Sequence, residues 1–495
     1  MRIPKCILFF AERSPFSFFG QNYCSLLTYF RVNDPYRIIV AFVVLILIRL
    51  PYLLYGSPIS MPQLSWMLVG ERLSAGYMMY SGVWDETGPL AALIYQIIEF
   101  VFDRNPIVYV VLAIILTTYQ ALLFNNFLLA KKAYDENTFV PALVYILLSS
   151  FSFDFYFLSP VLIALTWILL AMRNVFYRIE SRSKDNRILG TGIYLGLAVL
   201  CYLPSLLFLA STIIAYLLFT NVSFRRYMLL LYGTALPLLV ALTYYFLNDS
   251  LDAFMSLYVR SFFELGRQVY MSPLALLYLG AVPLIFLLVS FYRVGQIRFT
   301  NQQSKIQQIM FITILATVGT LFLVHELSPY HMLPLVPPAA FYITHYLLSI
   351  RRYLLAELAT FSLMILLTLN GYAFLFNWFS LHGIFPAEDI LVQTTDYNEI
   401  VKGKKILVLG SQLAIYQNAT PATPYLDWHL SSTQFSEIDY FGNLTEVYNN
   451  FVSDMPQVII DQENVMPELI QRIPLLERSY RRASQENVYL LQKEQ

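Results

Sequence analysis

The stretch ISMPQLSWMLVGERLSAGYMMYSGVWDETGPLAALIY, residues 59–95, follows the first long apolar segment of the chain. Charge, Gly, Pro and Trp crowd there as nowhere else early in the sequence. Glu71, Arg72, Asp85 and Glu86 stand close together between segments that otherwise carry almost no charge. The end of this stretch decides the topology, because the apolar run Pro89–Phe102 either crosses a membrane or lies along one.

Of the 495 residues, 58% are hydrophobic, 16% aromatic and only 13% charged, where a soluble domain carries roughly 25% charge. Apolar runs of about 17–25 residues recur along the first three quarters, the length that crosses a hydrocarbon core of roughly 30 Å. The chain reads as a polytopic α-helical membrane protein. Its net charge is zero, so nothing attracts it generally to nucleic acid. Cys6, Cys24 and Cys201 are scattered, without metal-ligand spacing. No short apolar core followed by a small-residue cleavage site opens the sequence, so no removable signal peptide is expected, and the helix starting near Tyr36 acts as signal anchor.

Residues 1–36, mixed aromatic and basic, form a cytoplasmic lead-in. Spanning segments are expected at 37–56, 106–129, 138–152, 157–174, 189–203, 205–221, 227–247, 272–292, 307–324, 331–349 and 354–378. Lys and Arg favour cytoplasmic loops, and they cluster at 131–132, 173–187, 225–226, 293–305 and 351–352. These loops all face inside, with an inside N-terminus, only if Pro89–Phe102 does not span. That run is short, carries Glu99 and ends in Asp103-Arg104. The expectation is therefore about eleven spans, N-terminus in and C-terminus out, with interfacial helices in a first outer loop at 57–105. In the outer segment 248–271, Phe254, Leu257, Tyr258, Phe262 and Leu265 recur at helical spacing, with Arg260, Glu264 and Arg267 off that stripe, which predicts an amphipathic surface helix.

The composition changes after Trp378. Residues 379–495 hold 15 acidic and 8 basic residues and no run long enough to span. KKILVLG (404–410) and PQVIID (456–461) read as buried strands, VYLLQ (488–492) as a last strand, and 446–452 and 466–473 as helices. This is a small C-terminal α/β domain on the outer face. It has no Gly-rich nucleotide loop and no Cys/His cluster.

The topology gathers Glu71, Asp85, Glu86, Asp154, Arg260, His325, Glu326, Tyr330 and His331 at outer helix ends. Asp154 sits in SFDFYFLSP, where aromatic neighbours desolvate a carboxylate and a metal ion, an Arg or a substrate hydroxyl would stabilise it. His325-Glu326 and Tyr330-His331 bracket the turn Leu327-Ser328-Pro329. Structural roles compete with these readings: acidic loop residues are usually solvated, Asp85 can cap the helix after the Gly-Pro turn, and the histidines fit a membrane interface. Arg49, inside the first helix, is costly in lipid and should face the bundle interior.

An inside-starting first helix, the loop GERLSAGYMMYSGVWDETGPLAALIY, a short outer loop with an Asp, the segment HELSPYHMLPLVPP and an outer α/β domain together resemble the GT-C superfamily. Its members are polyprenyl-phosphate-sugar-dependent glycosyltransferases such as protein mannosyltransferases and the aminoarabinose transferase of lipid A. The best matches are Gly76 to Leu90, SPYHMLPLVPP and the PQVIID strand. The resemblance implies one acidic residue early in the first outer loop, binding metal or acting as base, and a second in the next outer loop. Asp154 matches the second. The first would fall at Met61–Gln63, where this sequence has Met, Pro and Gln, so either Glu71 or Asp85 substitutes or the transfer chemistry is absent. On this resemblance the catalytic candidates are Asp154, Asp85 and Glu71. Arg260, Glu86, Tyr330, His331, His325 and Glu326 are the substrate-binding ones, with Arg260 meeting the departing phosphate. The cofactor is left open, with a divalent Mg or Mn ion as the option. The implied partners are the lipid bilayer, a polyprenyl-phosphate-linked sugar and a glycan, lipid or protein acceptor, in a bacterial inner membrane. Two alternatives stand beside it: a catalytically silent scaffold of the same fold, favoured by the missing first-loop acid, and a transporter of lipid-linked sugars, which nearly charge-free spans disfavour.

Overall fold

The computed structural model describes residues 26–180, 185–220, 223–260, 262, 272–324, 327–376, 378, 390–483 and 487–492. His325, Glu326, Glu264, Leu265, Arg267, Cys6 and Cys24 lie outside the described residues, as does most of the expected lead-in.

The helices run in order α1 (Leu26–Arg31), α2 (Arg37–Leu54), α3 (Met61–Ser74), α4 (Pro89–Phe102), α5 (Pro106–Ala130), α6 (Val140–Leu148), α7 (Pro160–Glu180) and α8 (Asp185–Cys201). They continue as α9 (Leu206–Phe219), α10 (Phe224–Leu247), α11 (Leu251–Phe254), α12 (Pro273–Leu279), α13 (Ala281–Val294), α14 (Asn301–Leu323), α15 (Val336–Ser349) and α16 (Tyr353–Leu375). Many begin with Pro in the first turn, where its missing N–H costs nothing and its fixed φ suits the helix. Among the described residues six helices are long and apolar enough to cross a membrane: α2, α5, α7, α10, α14 and α16. The protein is thus an integral multi-pass membrane protein.

The expected count of about eleven spans is not confirmed. The expected span at 272–292 is the pair α12 and α13, bent by 66°. The expected spans at 138–152, 189–203, 205–221 and 331–349 appear as α6, α8, α9 and α15, none reaching 18 residues. At 1.5 Å per residue the nine residues of α6 rise only about 14 Å, less than half a bilayer core. Ser149 and Ser150 end it early, each turning its hydroxyl back onto a carbonyl of the preceding turn.

α4 is one helix of 14 residues, as its composition suggested, and is too short to span upright. It lies against α3 so closely that a Cβ on Gly70 would stand 2.6 Å from Glu99 Cγ and 2.8 Å from the Tyr95 carbonyl. Its outward face is apolar, with Leu93, Ile97 and Phe100 exposed. The expected amphipathic helix after residue 250 takes another form: α11 runs directly into a π-helical turn, Met255–Arg260.

Inside the bundle, α8 and α10 cross at backbone contact. A Cβ on Gly192 would meet the Leu230 carbonyl at 2.3 Å, and one on Gly196 the Thr234 carbonyl at 2.4 Å. Small residues four apart allow this approach in a lipid environment. At the other end of the chain order, Glu357 of α16 accepts from the backbone N–H groups of Leu27 (2.7 Å) and Thr28 (3.2 Å) in α1.

The C-terminal unit has a five-stranded sheet of order β2-β1-β3-β5-β4, with β1 (Lys405–Leu409), β2 (Thr420–Pro421), β3 (Val458–Asp461), β4 (Tyr480–Arg482) and β5 (Val488–Leu491). β1 pairs parallel with β2 and β3, in register Ile406↔Val458, while β5 is antiparallel to β3 and β4. Leu407, Leu409 and Ile459 pack one face against Val447 and Phe451 of the helix Phe441–Ser453.

Two ionic clamps fasten this unit to α3 and to the link between α4 and α5. Arg72 reaches Asp454 (2.5 Å), the Pro421 carbonyl (3.0 Å) and the Gly82 carbonyl (3.2 Å), with its guanidinium 3.6 Å from the Tyr77 ring centre. Asp454 also accepts from Lys405 (2.9 Å) and the Thr423 N–H (3.2 Å). In the second clamp Arg104 pairs with Glu71 and donates to the carbonyls of Tyr416, Gln417 and Ala419. Between them the chains interlock: Trp84 N–H donates to the Pro424 carbonyl, and Asp427 N–H to the Trp84 carbonyl.

Candidate functional site

Asp85 occupies a local turn written into Asp-Glu-Thr-Gly-Pro. Its Oδ1 accepts from the N–H (2.8 Å) and the hydroxyl (2.5 Å) of Thr87, an Asx turn that folds the chain back before Pro89 starts α4. Its Oδ2 accepts from Ser65 on α3 (2.5 Å). Gly88 completes the turn because nothing larger fits: a Cβ there would lie 2.4 Å from the Leu200 carbonyl and 2.5 Å from that of Cys201.

This turn forms one wall of a cavity of about 120 Å³ at the seam between the helical bundle and the C-terminal unit. Asp85, Glu86, Trp66, Tyr330 and His331 reach it from the bundle side, with Tyr202 and Tyr258. Ser411, Asp427 and Trp428 reach it from the C-terminal side. Tyr330 packs edge-on to Trp66 (5.1 Å between ring centres) and against His331 (4.0 Å), and the Tyr202 hydroxyl lies 3.0 Å from His331 Nδ1. The cavity therefore combines three carboxyl groups with a ring of aromatic faces. No Lys or Arg is among its described lining residues.

Burial sets the protonation of these acids. Asp85 is 7% exposed, and desolvation raises its carboxyl above the ordinary range against the lowering hydrogen bonds of Ser65 and Thr87. Asp427 is pushed up to about 7, first by desolvation and then by the nearby charge of Asp85. Two carboxyl groups that feel one another this way release their protons in succession rather than together. The pair can accept one proton near neutral pH, as a general base requires. A carboxylate offers about four acceptor positions, of which Asp85 has three filled.

Asp154 lies elsewhere. It is 1% exposed, on the short turn Phe153–Tyr156, and does not line the cavity. Its Oδ1 accepts from Ser60 Oγ (3.2 Å) and Gln63 Nε2 (3.1 Å), and its Oδ2 from the Tyr330 N–H (3.1 Å). Desolvation raises it to about 6 against those three hydrogen bonds. Arg49 braces the same turn from α2, donating to the carbonyls of Ser149 (3.3 Å) and Phe155 (3.4 Å), and it does face the bundle interior.

The structure thus brings Asp85, Glu86, Tyr330 and His331 together and keeps Asp154 one residue contact behind them. Glu71 is not in the cavity but in the Arg104 clamp. Arg260 is exposed at the end of the π-helical turn that places Tyr258 on the cavity wall. Sequence reasoning missed Asp427 and Gln63. Asp427 had a local signal, as the N-cap of the helix Trp428–Ser436, where it accepts from the His429 N–H (2.8 Å). Nothing local joins it to Asp85.

A divalent metal does not fit these residues. Among the described residues no group of three or more His, Cys, Asp or Glu could hold one. Around Asp154 the neighbouring atoms are an amide, a hydroxyl and a backbone N–H, all presenting hydrogens to the carboxylate.

No family model matches the chain, and no curated protein matches it. Among solved structures it is similar to the oligosaccharyltransferase AglB of Archaeoglobus fulgidus in complex with an inhibitory peptide and a dolichol-phosphate. The identity is 9%, over 90% of this chain and 73% of that one, with a TM-score of 0.46. It is similar too to ArnT of Cupriavidus metallidurans bound to undecaprenyl phosphate, at 10% identity over 89% of each chain and a TM-score of 0.46. Both of these proteins are members of the GT-C superfamily, the one the sequence resembles.

Proposed function

We propose that this protein is a membrane glycosyltransferase that moves a sugar from a polyprenyl-phosphate donor to an acceptor at the face of the membrane bearing the C-terminal domain. The Lys and Arg distribution supports assigning that face to the outside. One observation carries the reading: the polar cavity shares a wall with an apolar groove of about 310 Å³. The segment Pro329–Leu335 contributes Tyr330 and His331 to the cavity and Met332 and Leu335 to the groove. The end of α14 divides in the same way, with Leu323 on the cavity and Leu321 and Phe322 on the groove. A ligand with a polar head and a long apolar tail matches that pairing.

In the reaction, Asp85 takes the proton of the acceptor nucleophile, whose electron pair forms the new bond to the anomeric carbon. The bond from that carbon to the phosphate oxygen breaks, and polyprenyl phosphate leaves with its electrons. Arg260 is the candidate cation for the departing phosphate. Asp427 shares the proton load with Asp85, and the aromatic walls hold the sugar ring. No step is routed through a metal. Asp154 acts on this chemistry through the Tyr330 N–H it holds.

The test compares sugar transfer and glycan profiles in membranes holding matched amounts of wild type, Asp85→Asn and Asp427→Asn. A changed glycan or lipid-linked sugar in either variant supports the transferase. A silent scaffold of the same fold is the second reading, favoured by Gln63 standing where the resemblance implies an acid. It requires that both variants match wild type while deletion of the whole protein has an effect.

A further inference from the structure

The resemblance implies one acidic residue early in the first outer loop, binding metal or acting as base, and a second in the next outer loop; the residues at that place are arranged otherwise. Gln63 stands on the first turn of α3 in the pattern Ser60-x-x-Gln63. Its side-chain oxygen accepts from the Ser60 N–H (3.0 Å), which fixes the amide so that its nitrogen faces Asp154 Oδ1 at 3.1 Å. The Ser60 hydroxyl reaches the same oxygen. Oδ2 is taken by the Tyr330 N–H, on the segment that walls both the cavity and the groove. The four residues come from three separate parts of the chain and are 0–7% exposed.

We infer that the Ser60–Gln63–Asp154–Tyr330 cluster is a metal-free latch, in which the Gln63 amide takes the position of a cation and Asp154 is a positioning residue for the Tyr330–His331 wall. A cation entering here would meet three hydrogens already bonded to the carboxylate, two on Oδ1 and one on Oδ2, out of about four acceptor positions. The amide supplies the positive end of a dipole instead of a full charge, so the carboxylate is satisfied without an exchangeable ligand. Reversing the amide would turn its nitrogen onto the Ser60 N–H, costing that group the acceptor it has in Gln63 Oε1. The inference does not rest on sugar transfer, and its test is read without that activity.

The full-length protein in nanodiscs is titrated with Mn²⁺, followed by electron paramagnetic resonance, with thermal melting and tryptophan fluorescence recorded alongside. Wild type and Asp154→Asn should show the same absence of a saturable Mn²⁺ site, and EDTA should leave the wild-type melting temperature unchanged. Gln63→Glu places a second carboxylate against Asp154. It should melt lower than wild type, gain a saturable Mn²⁺ site, and recover its melting temperature when Mn²⁺ is added. The exchanged pair Gln63→Glu with Asp154→Asn restores one donor and one acceptor. It should lose the Mn²⁺ site and regain wild-type melting and the wild-type tryptophan emission, to which Trp66, packed on Tyr330, contributes. Saturable Mn²⁺ binding to wild type that Asp154→Asn removes would overturn the inference. So would a Gln63→Glu protein that binds no Mn²⁺, or an exchanged pair that melts no higher than the single variant. If Gln63→Glu does not accumulate in folded form, preparing the membranes in Mn²⁺ should restore it, and failure to do so counts against the latch.

Discussion

Replacing Arg72 by Met should loosen the C-terminal unit from the bundle, and by much more than replacing Lys405, although both side chains bond the same carboxylate. Arg72 and Asp454 are 4% and 6% exposed, while the Lys405 side chain is 50% exposed. Removing one partner of a buried pair costs about 3–5 kcal/mol, because the other charge stays behind in a poor solvent. The lower end applies to Arg72→Met, since Asp454 retains Lys405 and the Thr423 N–H. A half-exposed pair contributes below about 1 kcal/mol after solvent screening, which sets the expectation for Lys405→Met. At about 1.4 kcal/mol per factor of ten, the two variants should differ roughly thirtyfold or more in the population of undocked domain. Hydrogen–deuterium exchange at the Trp84 amide reads that population directly, because its bond to the Pro424 carbonyl crosses from the bundle to the C-terminal unit. Arg72→Met should accelerate its exchange by about 150-fold and Lys405→Met by less than about fivefold. Equal acceleration in the two variants would refute the assignment of the buried ion pair as the main clamp.

The same clamp makes docking sensitive to acid. Burial pushes Asp454 up, but the hydrogen bonds from Arg72 and Lys405 outweigh it and hold the carboxyl below its ordinary range. Its contribution is present above the unfolded value of about 3.9 and is lost as pH falls through the depressed folded value, so exchange should rise only in strong acid. Asp427 has the opposite sign. Its carboxyl is raised to about 7, so the folded state holds that proton more tightly than the unfolded state, and stability should fall as pH rises from about 4 to 7. Asp427→Asn should flatten that part of a melting-temperature profile. For sugar transfer, Asp85→Asn should reduce the rate by about 10²–10⁴-fold, the usual worth of a general base. Asp427→Asn should shift the alkaline-rising limb of the rate profile to lower pH, because Asp85 loses a like-charged neighbour. Gly192→Leu should separate α8 from α10 and abolish folded protein in a detergent melting assay, since a Cβ alone already lies 2.3 Å from a backbone carbonyl.

The helices that could be read from the sequence were those whose information is local. The long apolar runs of α2, α5, α7, α10, α14 and α16 announce themselves by length, and β1, β3 and β5 by short β-branched runs ended by polar residues. β2 and β4 were not seen, because two and three residues at sheet edges leave no periodicity to detect. The overestimate at α6 has a similar origin: apolar content resumes at Phe151 and Phe153, but Ser149 and Ser150 stop the helix before them, and hydropathy alone does not register that. In the site, Asp85 could be singled out because its turn is encoded by adjacent residues. Its neighbour Asp427 lies more than three hundred positions away and arrives only when the Trp84 and Pro424 backbones interlock. The Gly192 and Gly196 spacing was present in the sequence as a packing signal, and its meaning depended on knowing that α10 is the partner.

The bond from Glu357 to the amides of Leu27 and Thr28 joins the first described helix to the last helix of the bundle, across some 330 positions. During synthesis those two amides exist long before their acceptor does. Until α16 leaves the translocation machinery, α1 has no side-chain oxygen of that kind to dock on, and the seam between α1 and α16 stays open. Closing the bundle along that edge therefore waits for α16, and a chain stopped before residue 357 would be inserted yet unsealed there.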